Sequence, residues 1–402
     1  MAAEHGSVLK TGLALGLISA IGPLAIDLYL PAFPTMVRDL NATPGEVQRT
    51  LSAFFFALAV AQIPIGSFGD RFGRKLPLYL GLGLFILISG ACAFARSAPV
   101  LEGLRFMQGF AVCAGTAVSR AMIRDLQSGH KAARLMAISF LIIGVSPVLA
   151  PAVGSFLLTY SSWRGLFFIM AGLGVLGLAV AAVLPETLPP ERRIPIRQPV
   201  LPAYGALLSN PRFIAAALIA GLATTIPYAY VTAAPFVFSG VFHLSPRAYS
   251  LLLGLNAVCS IGMIQLSPNL MRRWGPRRLI LRVMASGAIL TVALGGAALM
   301  GIGGLPLFQI YSMLLFCAAG LALTPAAISA LDAGSSGAGA AAGMLGTLQL
   351  VVTAGASGLI SSFPAFSLAP LLGVVLVCLT VSWLLCFATL QRPGAAASQA
   401  PS

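Results

Sequence analysis

Long apolar runs alternate along this sequence with short segments that carry Gly, Pro, Arg and Lys. A bilayer core about 30 Å thick is crossed by roughly 20 helical residues, so each long run predicts a membrane-spanning helix. Twelve such runs divide the chain. The predicted spans lie near residues 8–33, 47–69, 76–95, 99–122, 133–159, 164–184, 211–238, 246–270, 279–299, 304–331, 338–362 and 367–390.

The composition excludes a water-soluble globular protein. Hydrophobic residues make up 58% of the 402 positions, charged residues only 8%, and the mean hydropathy is +0.95. A soluble domain carries about a quarter charged residues, so most of this surface must face lipid. The predicted fold class is therefore an all-α polytopic membrane protein with twelve transmembrane helices.

The longest polar stretch lies mid-chain and is rich in Pro and Arg, and it separates six spans from six. We predict an N-terminal six-helix bundle over residues 1–184, a cytoplasmic linker over 185–210, and a C-terminal six-helix bundle with a short tail over 211–402. The second bundle keeps the direction of the first, because each half has an even number of spans. Such halves are related by an axis along the membrane normal in many transporters.

A weak internal repeat supports the two halves. Asp70-Arg71-Phe72-Gly73 and Arg272-Arg273-Trp274-Gly275 lie 202 residues apart, each at the end of the second span of its half. We therefore expect two pseudo-symmetric bundles with the substrate site between them.

The basic residues predict the orientation. Cytoplasmic loops retain Lys and Arg, and placing both termini in the cytoplasm puts eighteen of the 24 basic residues on that side. The net charge of +14 comes from short clusters between spans, so it indicates topology and not a nucleic-acid partner.

No metal site, disulfide or cofactor is predicted. The six cysteines lie in apolar runs without a CxxC pair, and His5, His130 and His243 lie at the amino terminus and in presumed loops. No nucleophile lies beside a base in the pattern of an enzyme, and no GxxxxGK[ST] loop is present for an ATP-driven pump. We predict that the protein is not an enzyme and has no catalytic residues.

A compact charged segment joins the second and third predicted spans. It reads Gly-Ser-Phe-Gly-Asp-Arg-Phe-Gly-Arg-Lys; its glycines permit a tight turn and its charges gather at the cytoplasmic mouth. An ordinary cytoplasmic hairpin that follows the positive-inside rule is the alternative. The glycines and charged residues that stand out in this segment are Gly66, Asp70, Arg71, Gly73, Arg74 and Lys75.

The fifth predicted span carries small and helix-bending residues on one face. At 100° per residue, Gly144, Pro147, Pro151 and Gly154 fall within about 80°. Such a face permits close helix packing, and the prolines can kink the span. A bulky residue at Gly154 is expected to block close packing of the two bundles, whereas the alternative is an ordinary helix contact.

Two opposite charges lie inside predicted spans. An intramembrane charge costs about 2.5–3.5 kcal/mol on insertion scales, so Asp27 and Arg105 are functional candidates. Both are roughly 9 Å below the outer surface, and we expect them to meet. Snorkelling to the interface is the alternative for Asp27, and a structural tie to backbone carbonyls is the alternative for Arg105. Ala229 and Leu307 occupy the equivalent positions of the second half, so only the first half is expected to handle protons.

Other polar residues in spans are candidates for a substrate cavity, although most such residues join helices to each other. Those selected are Tyr29, Gln62, Tyr228 and Asn256.

The segment Gly66–Lys75 is similar to the signature loop of the major facilitator superfamily, G-x-x-x-D-R-x-G-R-K. The resemblance implies that the segment is a gate on the cytoplasmic side, formed by Asp70 and Arg71. From its position at the cytoplasmic end of the fourth span, we expect Asp125 to be a partner of Arg71, and Asp70 can also cap the amino end of the eleventh span. The fifth-span pattern resembles the motif that marks exporters working by exchange in this superfamily.

Further segments resemble the bicyclomycin and chloramphenicol resistance (Bcr/CflA) branch. They are Asp27–Pro31, Arg105–Gly109, Arg124-Asp125 and Glu186–Arg193. The resemblance implies a monomeric drug:proton antiporter of the bacterial inner membrane, with Asp27 and Arg105 in proton coupling. Some relatives carry a second acid two turns before this Asp, where the present chain offers only Ser19.

The implied substrates are small hydrophobic antibiotics, with protons as the coupled ion and no cofactor. A proton-coupled importer or exporter of a sugar, organic acid or amino acid is the alternative, although its cavity would need more polar groups. A channel is disfavoured by the two-bundle repeat.

Overall fold

A computed structural model describes residues 2–126, 129–193, 195, 201–334, 338–363 and 367–389. Within these ranges the chain is almost entirely helical and contains no strand. The predicted all-α fold class is confirmed.

In the part of the chain that the structure describes, seven helices precede the linker. A 3-10 turn at Leu30–Ala32 separates the first two, and another at Pro190–Arg192 follows the seventh. The helices are α1 Ala2–Asp27, α2 Phe33–Asp39, α3 Pro44–Phe72, α4 Lys75–Ala93, α5 Ala98–Leu126, α6 Gly129–Leu157 and α7 Trp163–Val183.

Eight helices follow in the described ranges, and two π-helical turns interrupt them there, at Val237–Val241 and Thr291–Gly295. The helices are α8 Leu201–Leu208, α9 Pro211–Phe236, α10 Pro246–Trp274, α11 Pro276–Leu290, α12 Gly296–Leu299, α13 Gly304–Ala333, α14 Ala338–Ser361 and α15 Ala369–Thr389.

The predicted spans coincide with these helices. Among the described residues, eleven helical segments are long and apolar enough to cross a membrane, and α6 adds the shorter apolar stretch Ile142–Leu157. Local signals fix several ends. For example, α3 begins with a capping box in which Thr43 and Glu46 each bond the other's backbone N–H, and it ends at Gly73, whose φ is +92°.

Backbone proximity divides the chain into two compact units. The first comprises Met1–Val200, Val231–Gly254 and Ser357–Phe366, and the second comprises Leu201–Tyr230, Leu255–Ala356 and Ser367–Ser402. The division differs from a simple cut at the linker, and the bundle boundaries at 184 and 211 stay a prediction.

The first unit includes one end of the α9–α10 pair because specific polar contacts attach it there. The hydroxyl of Tyr249 donates to the carbonyl of Leu30 at 3.1 Å, and Gln48 Nε2 donates to the carbonyl of Thr232 at 3.1 Å. Tyr249 and Gln48 are fully buried, so these bonds satisfy polar groups that are away from water.

Candidate functional site

Asp27 lies at a break in the first span. Helix α1 ends at this residue, and the following turn contains Pro31, which lacks the N–H needed to continue the helix. The Asp27 side chain is buried, with the residue only 4% exposed, and the hydroxyl of Ser146 in α6 donates to its Oδ2 at 3.4 Å. As predicted, Asp27 is an acid inside a span, and its carboxyl group is almost completely enclosed.

Arg105 of α5 is fully buried. Its Nη2 donates to the carbonyl of Ala25 at 3.0 Å, and its Nη1 donates to Oε1 of Gln108. Gln108 is held in turn by a 2.7 Å bond from its Nε2 to Ser89 Oγ. The arginine therefore belongs to a hydrogen-bonded chain that joins α1, α5 and α4.

Aromatic rings surround the same guanidinium. Its central carbon lies 4.2 Å from the ring centroid of Tyr29 and 4.3 Å from that of Phe54, with Phe167 at 5.9 Å. Faces of aromatic rings attract cations, most strongly where water is excluded. The rings, together with Gln108, form an environment that hydropathy alone did not reveal, because Phe54 and Phe167 look like any other apolar residues of a span.

The structure shows no hydrogen bond or ion pair between the side chains of Asp27 and Arg105, so the expected contact between them is wrong. Because α1 ends at Asp27, the carbonyls of its last turn carry the negative end of the helix dipole. Arg105 binds one of them, at Ala25, and Ser146 contacts the carboxyl group instead. The tie to a backbone carbonyl, which was the alternative for Arg105, is what the structure displays.

At the other end of the first unit, one guanidinium serves two carboxylates. Arg74 Nε lies 2.7 Å from Asp125 Oδ2, and its Nη1 lies 2.6 Å from Asp70 Oδ1. Burial favours loss of the arginine's charge, but the bonds to Asp125 and Asp70 outweigh it and raise the pKa of Arg74. The hydroxyl of Thr187 also donates to Asp125 at 3.1 Å.

Arg74 is the cation that the structure pairs with Asp125, whereas Arg71 was the expected one. The turn at Gly73 separates them: Arg71 lies in the last turn of α3, whereas Arg74 precedes α4 and is directed inward, with 8% of its side chain exposed. Asp125 is thus held by Arg74, and the expected pairing of Asp125 with Arg71 stays a prediction.

Glu186 fixes the start of α4. Its Oε1 accepts from the backbone N–H of Arg74 at 2.9 Å, and its Oε2 accepts from that of Lys75 at 3.1 Å. The N–H groups of Thr187 and Leu188 also donate to Oε1, at 2.9 and 3.0 Å. Burial opposes ionisation of this group, but the four N–H donors outweigh it and hold the pKa of Glu186 below its usual value.

The segment after α7 also packs closely against the turn at Gly73, between α3 and α4. A Cβ added at Gly73 would lie 2.7 Å from Glu186 Oε2 and 2.8 Å from Arg193 Nη2, and the φ of +92° already favours glycine. Lys75 Nζ donates to the carbonyl of Ala182 at 3.2 Å. Sequence reasoning selected Glu186 only by family resemblance, because its capping role depends on a contact between distant segments.

The small-residue face of α6 packs against the end of α1. A Cβ at Gly154 would collide with the carbonyl oxygen of Leu28, next to Asp27. Pro151 is buried and Gly144 and Pro147 are half-buried. This close packing lies within the first unit, and the expected role of Gly154 in packing between the bundles stays a prediction.

The predicted cavity residues fall into different surroundings. Tyr29 is fully buried against Arg105 and bonds Thr50 at 3.2 Å. Gln62 is buried in α3, and Tyr228 is half-buried in α9. Asn256 is buried in the second unit, where its Oδ1 accepts from Gln309 Nε2 at 2.8 Å and its Nδ2 donates to Ser312 at 3.2 Å. Gly66 is half-buried in α3.

The sequence model described as Major Facilitator Superfamily matches residues 15–358. The chain belongs to the major facilitator superfamily. It is therefore a polytopic membrane transporter, and the family resemblance and the predicted fold are confirmed.

Individual relatives agree with this assignment. The chain is 32% identical over 86% of its length to the "Uncharacterized MFS-type transporter YdgK" of Bacillus subtilis, covering 86% of that protein. It is 28% identical to the "Bicyclomycin resistance protein homolog" of Haemophilus influenzae, covering 92% of this chain and 93% of that protein. The crystal structure of a variant of the nucleoside transporter NupG superposes with a TM-score of 0.71 at 15% identity, over 94% of this chain and 99% of that one, which supports the fold alone.

Proposed function

We propose that this superfamily member is a proton-coupled exporter of small hydrophobic drugs, acting by alternating access in the bacterial inner membrane with both termini in the cytoplasm. The observation that carries the proposal is Asp27, an acid enclosed within a membrane span whose described contact is one serine hydroxyl at 3.4 Å. A carboxyl group there is favoured when neutral, so it can take up and release a proton as its surroundings change.

The permanent charge of Arg105 supports the same role. It is stabilised by a carbonyl, Gln108 and aromatic rings, so Asp27 is not needed to neutralise it. Protonation of Asp27 therefore does not break a buried ion pair. This separation favours a carboxyl group that titrates within the transport cycle over a structural salt bridge.

The export of drugs is supported by resemblance. A relative carries the name of a bicyclomycin resistance protein homolog. The charged cluster of Asp70, Arg74 and Asp125 supports a gate on the cytoplasmic side.

The test is drug tolerance in an efflux-deficient bacterium that expresses the protein. We expect the minimum inhibitory concentration to rise for at least one antibiotic of a panel that includes bicyclomycin and chloramphenicol. Asp27→Asn at matched membrane abundance is expected to abolish the rise. Unchanged tolerance across the panel would contradict drug export.

An importer of a small metabolite is the second candidate. It is favoured by the buried polar cluster of Asn256, Gln309 and Ser312, which offers the hydrogen bonds that a sugar or an amino acid requires. Growth rescue on a single carbon source, without a change in drug tolerance, would select it.

A further inference from the structure

Five arginines are concentrated on one hairpin of the second unit. Arg272 and Arg273 end α10, and Arg277, Arg278 and Arg282 lie in the first two turns of α11. Both helices are apolar enough to span a membrane, so the hairpin that joins them lies at a membrane–water boundary. We call these five residues the arginine hairpin.

None of the five side chains of the arginine hairpin forms an ion pair with any residue that the structure describes. The sequence explains why: from residue 194 to the end, Asp332 is the single acidic residue against nine arginines. In the first unit, by contrast, the corresponding hairpin pairs its Arg74 with Asp70 and Asp125.

Apolar and aromatic groups lie directly beside these charges. Arg277 Nη2 donates to the carbonyl of Phe387 near the end of α15 at 3.3 Å, and its guanidinium lies 5.8 Å from the ring of Phe387. That ring stacks on Trp383. The guanidinium of Arg282 lies 4.9 Å from the ring of Trp274, which is 40% exposed. Aromatic side chains of this kind are enriched at the headgroup level of membranes.

We propose that the arginine hairpin and the end of α15 bind the headgroup of an anionic phospholipid. Five like charges within one hairpin repel each other over distances shorter than the Debye length, and a phosphate diester supplies the missing negative charge through guanidinium hydrogen bonds. Clusters of four to eight basic residues beside a membrane span are typical of such binding. The rings of Trp383, Phe387 and Trp274 provide the apolar surface that a lipid requires and a free anion does not.

The positive-inside rule alone would account for these charges without a bound lipid. Variants of two exposed arginines can distinguish this topological explanation from lipid binding. Arg273 and Arg278 have no described side-chain contact, so Arg273→Gln/Arg278→Gln removes charge without disturbing packing. Arg38→Gln/Arg96→Gln is the matched control, because both residues are exposed and lie at the other end of the spans.

The experiment measures lipid adducts of the full-length, detergent-purified protein by native mass spectrometry, with phosphatidylglycerol and phosphatidylcholine as probes. We expect the wild type to bind phosphatidylglycerol in preference to phosphatidylcholine. Compared with the wild type, the double variant should bind phosphatidylglycerol about 25-fold more weakly, and each single variant about fivefold more weakly. The control is expected to bind as the wild type does.

The proposal would be overturned by equal binding of both lipids by the wild type, by undiminished binding of phosphatidylglycerol by the hairpin variants, or by an equal loss in the control. Added inorganic phosphate distinguishes the source of the anion. If phosphate displaces phosphatidylglycerol at equal concentration, the hairpin recognises a free anion and the lipid proposal fails. The readout is binding and not transport, so it is independent of the proposed drug export.

Discussion

Arg74 holds Asp125 through two atoms, with Nε 2.7 Å from Oδ2 and Nη2 3.3 Å from Oδ1. This orientation leaves Nη1 for Asp70. Because Asp70 and Arg74 flank the turn between α3 and α4 whereas Asp125 lies at the end of α5, the guanidinium fixes the relative position of three helices. The side chain of Asp70 is 40% exposed and that of Asp125 only 16%, so Asp70 is the member able to meet a further partner.

We predict that Asp70→Asn loses export while still reaching the membrane, because the amide cannot hold Arg74 as an anion does.

We predict that Arg74→Gln loses export too and also lowers the free energy of unfolding, by about 2–3 kcal/mol, because it leaves the half-buried Asp125 without its counter-ion. Drug efflux and thermal stability at matched expression test both variants, with Glu191→Gln as an exposed control. Unchanged efflux in Asp70→Asn would leave the hairpin only its topological role.

Glu186 predicts a specific acid sensitivity. Its pKa is lowered in the folded protein by four backbone N–H donors, so its stabilising effect is complete above the usual value of 4.5 and is lost as the pH falls through the lower folded value. We expect Glu186→Gln to be less stable than the wild type at neutral pH, and the difference to narrow below about pH 4.

The measurement is the melting temperature in detergent across that pH range. Glu191→Gln is the control, because Glu191 lies five residues further on and is exposed. If the wild type and Glu186→Gln differed equally at every pH, ionisation of Glu186 would have no part in holding the turn.

The fold could be predicted from the sequence because hydropathy and turn residues act locally. The predicted span 47–69, for example, lies within α3, whose limits follow from Thr43 and Gly73. The helix breaks inside the spans could not be predicted in this way. The π-helical turn at Thr291–Gly295 interrupts a segment that hydropathy predicts as continuous, because π-turns depend on packing and not on composition.

The sequence selects candidate residues for the site but does not indicate which of them contact each other. Asp27 and Arg105 stand out because charges are rare in spans. The partners Ser146, Gln108 and Phe54 come from three helices, and no local pattern links them. The choice between Arg71 and Arg74 likewise depends on the direction of the chain after Gly73.

Gly154 permits a close approach that a side chain would prevent. Even the Cβ of alanine would collide with the carbonyl oxygen of Leu28, whereas a Cβ at Gly172 in α7 meets nothing within 4 Å. We predict that Gly154→Ala costs about 1–3 kcal/mol of stability and that Gly154→Leu abolishes transport. Gly172→Ala and Gly172→Leu should be close to neutral. Melting temperature and drug efflux provide the measurements, and equal effects at the two glycines would remove any special role of this α6 face.

The last prediction concerns proton coupling through Asp27. If Asp27 carries the proton, exchange of drug for proton requires its carboxyl group, and Asp27→Asn should abolish coupled movement while leaving the fold intact, because asparagine retains an acceptor for Ser146. Ser146→Ala should keep the exchange and alter only its pH dependence, since it removes one hydrogen bond and not the titrating group.

The assay uses proteoliposomes with a pH-sensitive dye inside, to which drug is added. Each inward proton supplies about 2.3 kcal/mol per 100 mV and about 1.4 kcal/mol more per unit of pH difference, so one proton sustains more than a tenfold gradient of a neutral drug. Substrate should therefore move protons through the wild type and Ser146→Ala but not through Asp27→Asn. If Asp27→Asn exchanged protons at the wild-type rate, the carrier would be another acid. Glu102, which pairs with Arg49 at 3.5 Å, would be tested next.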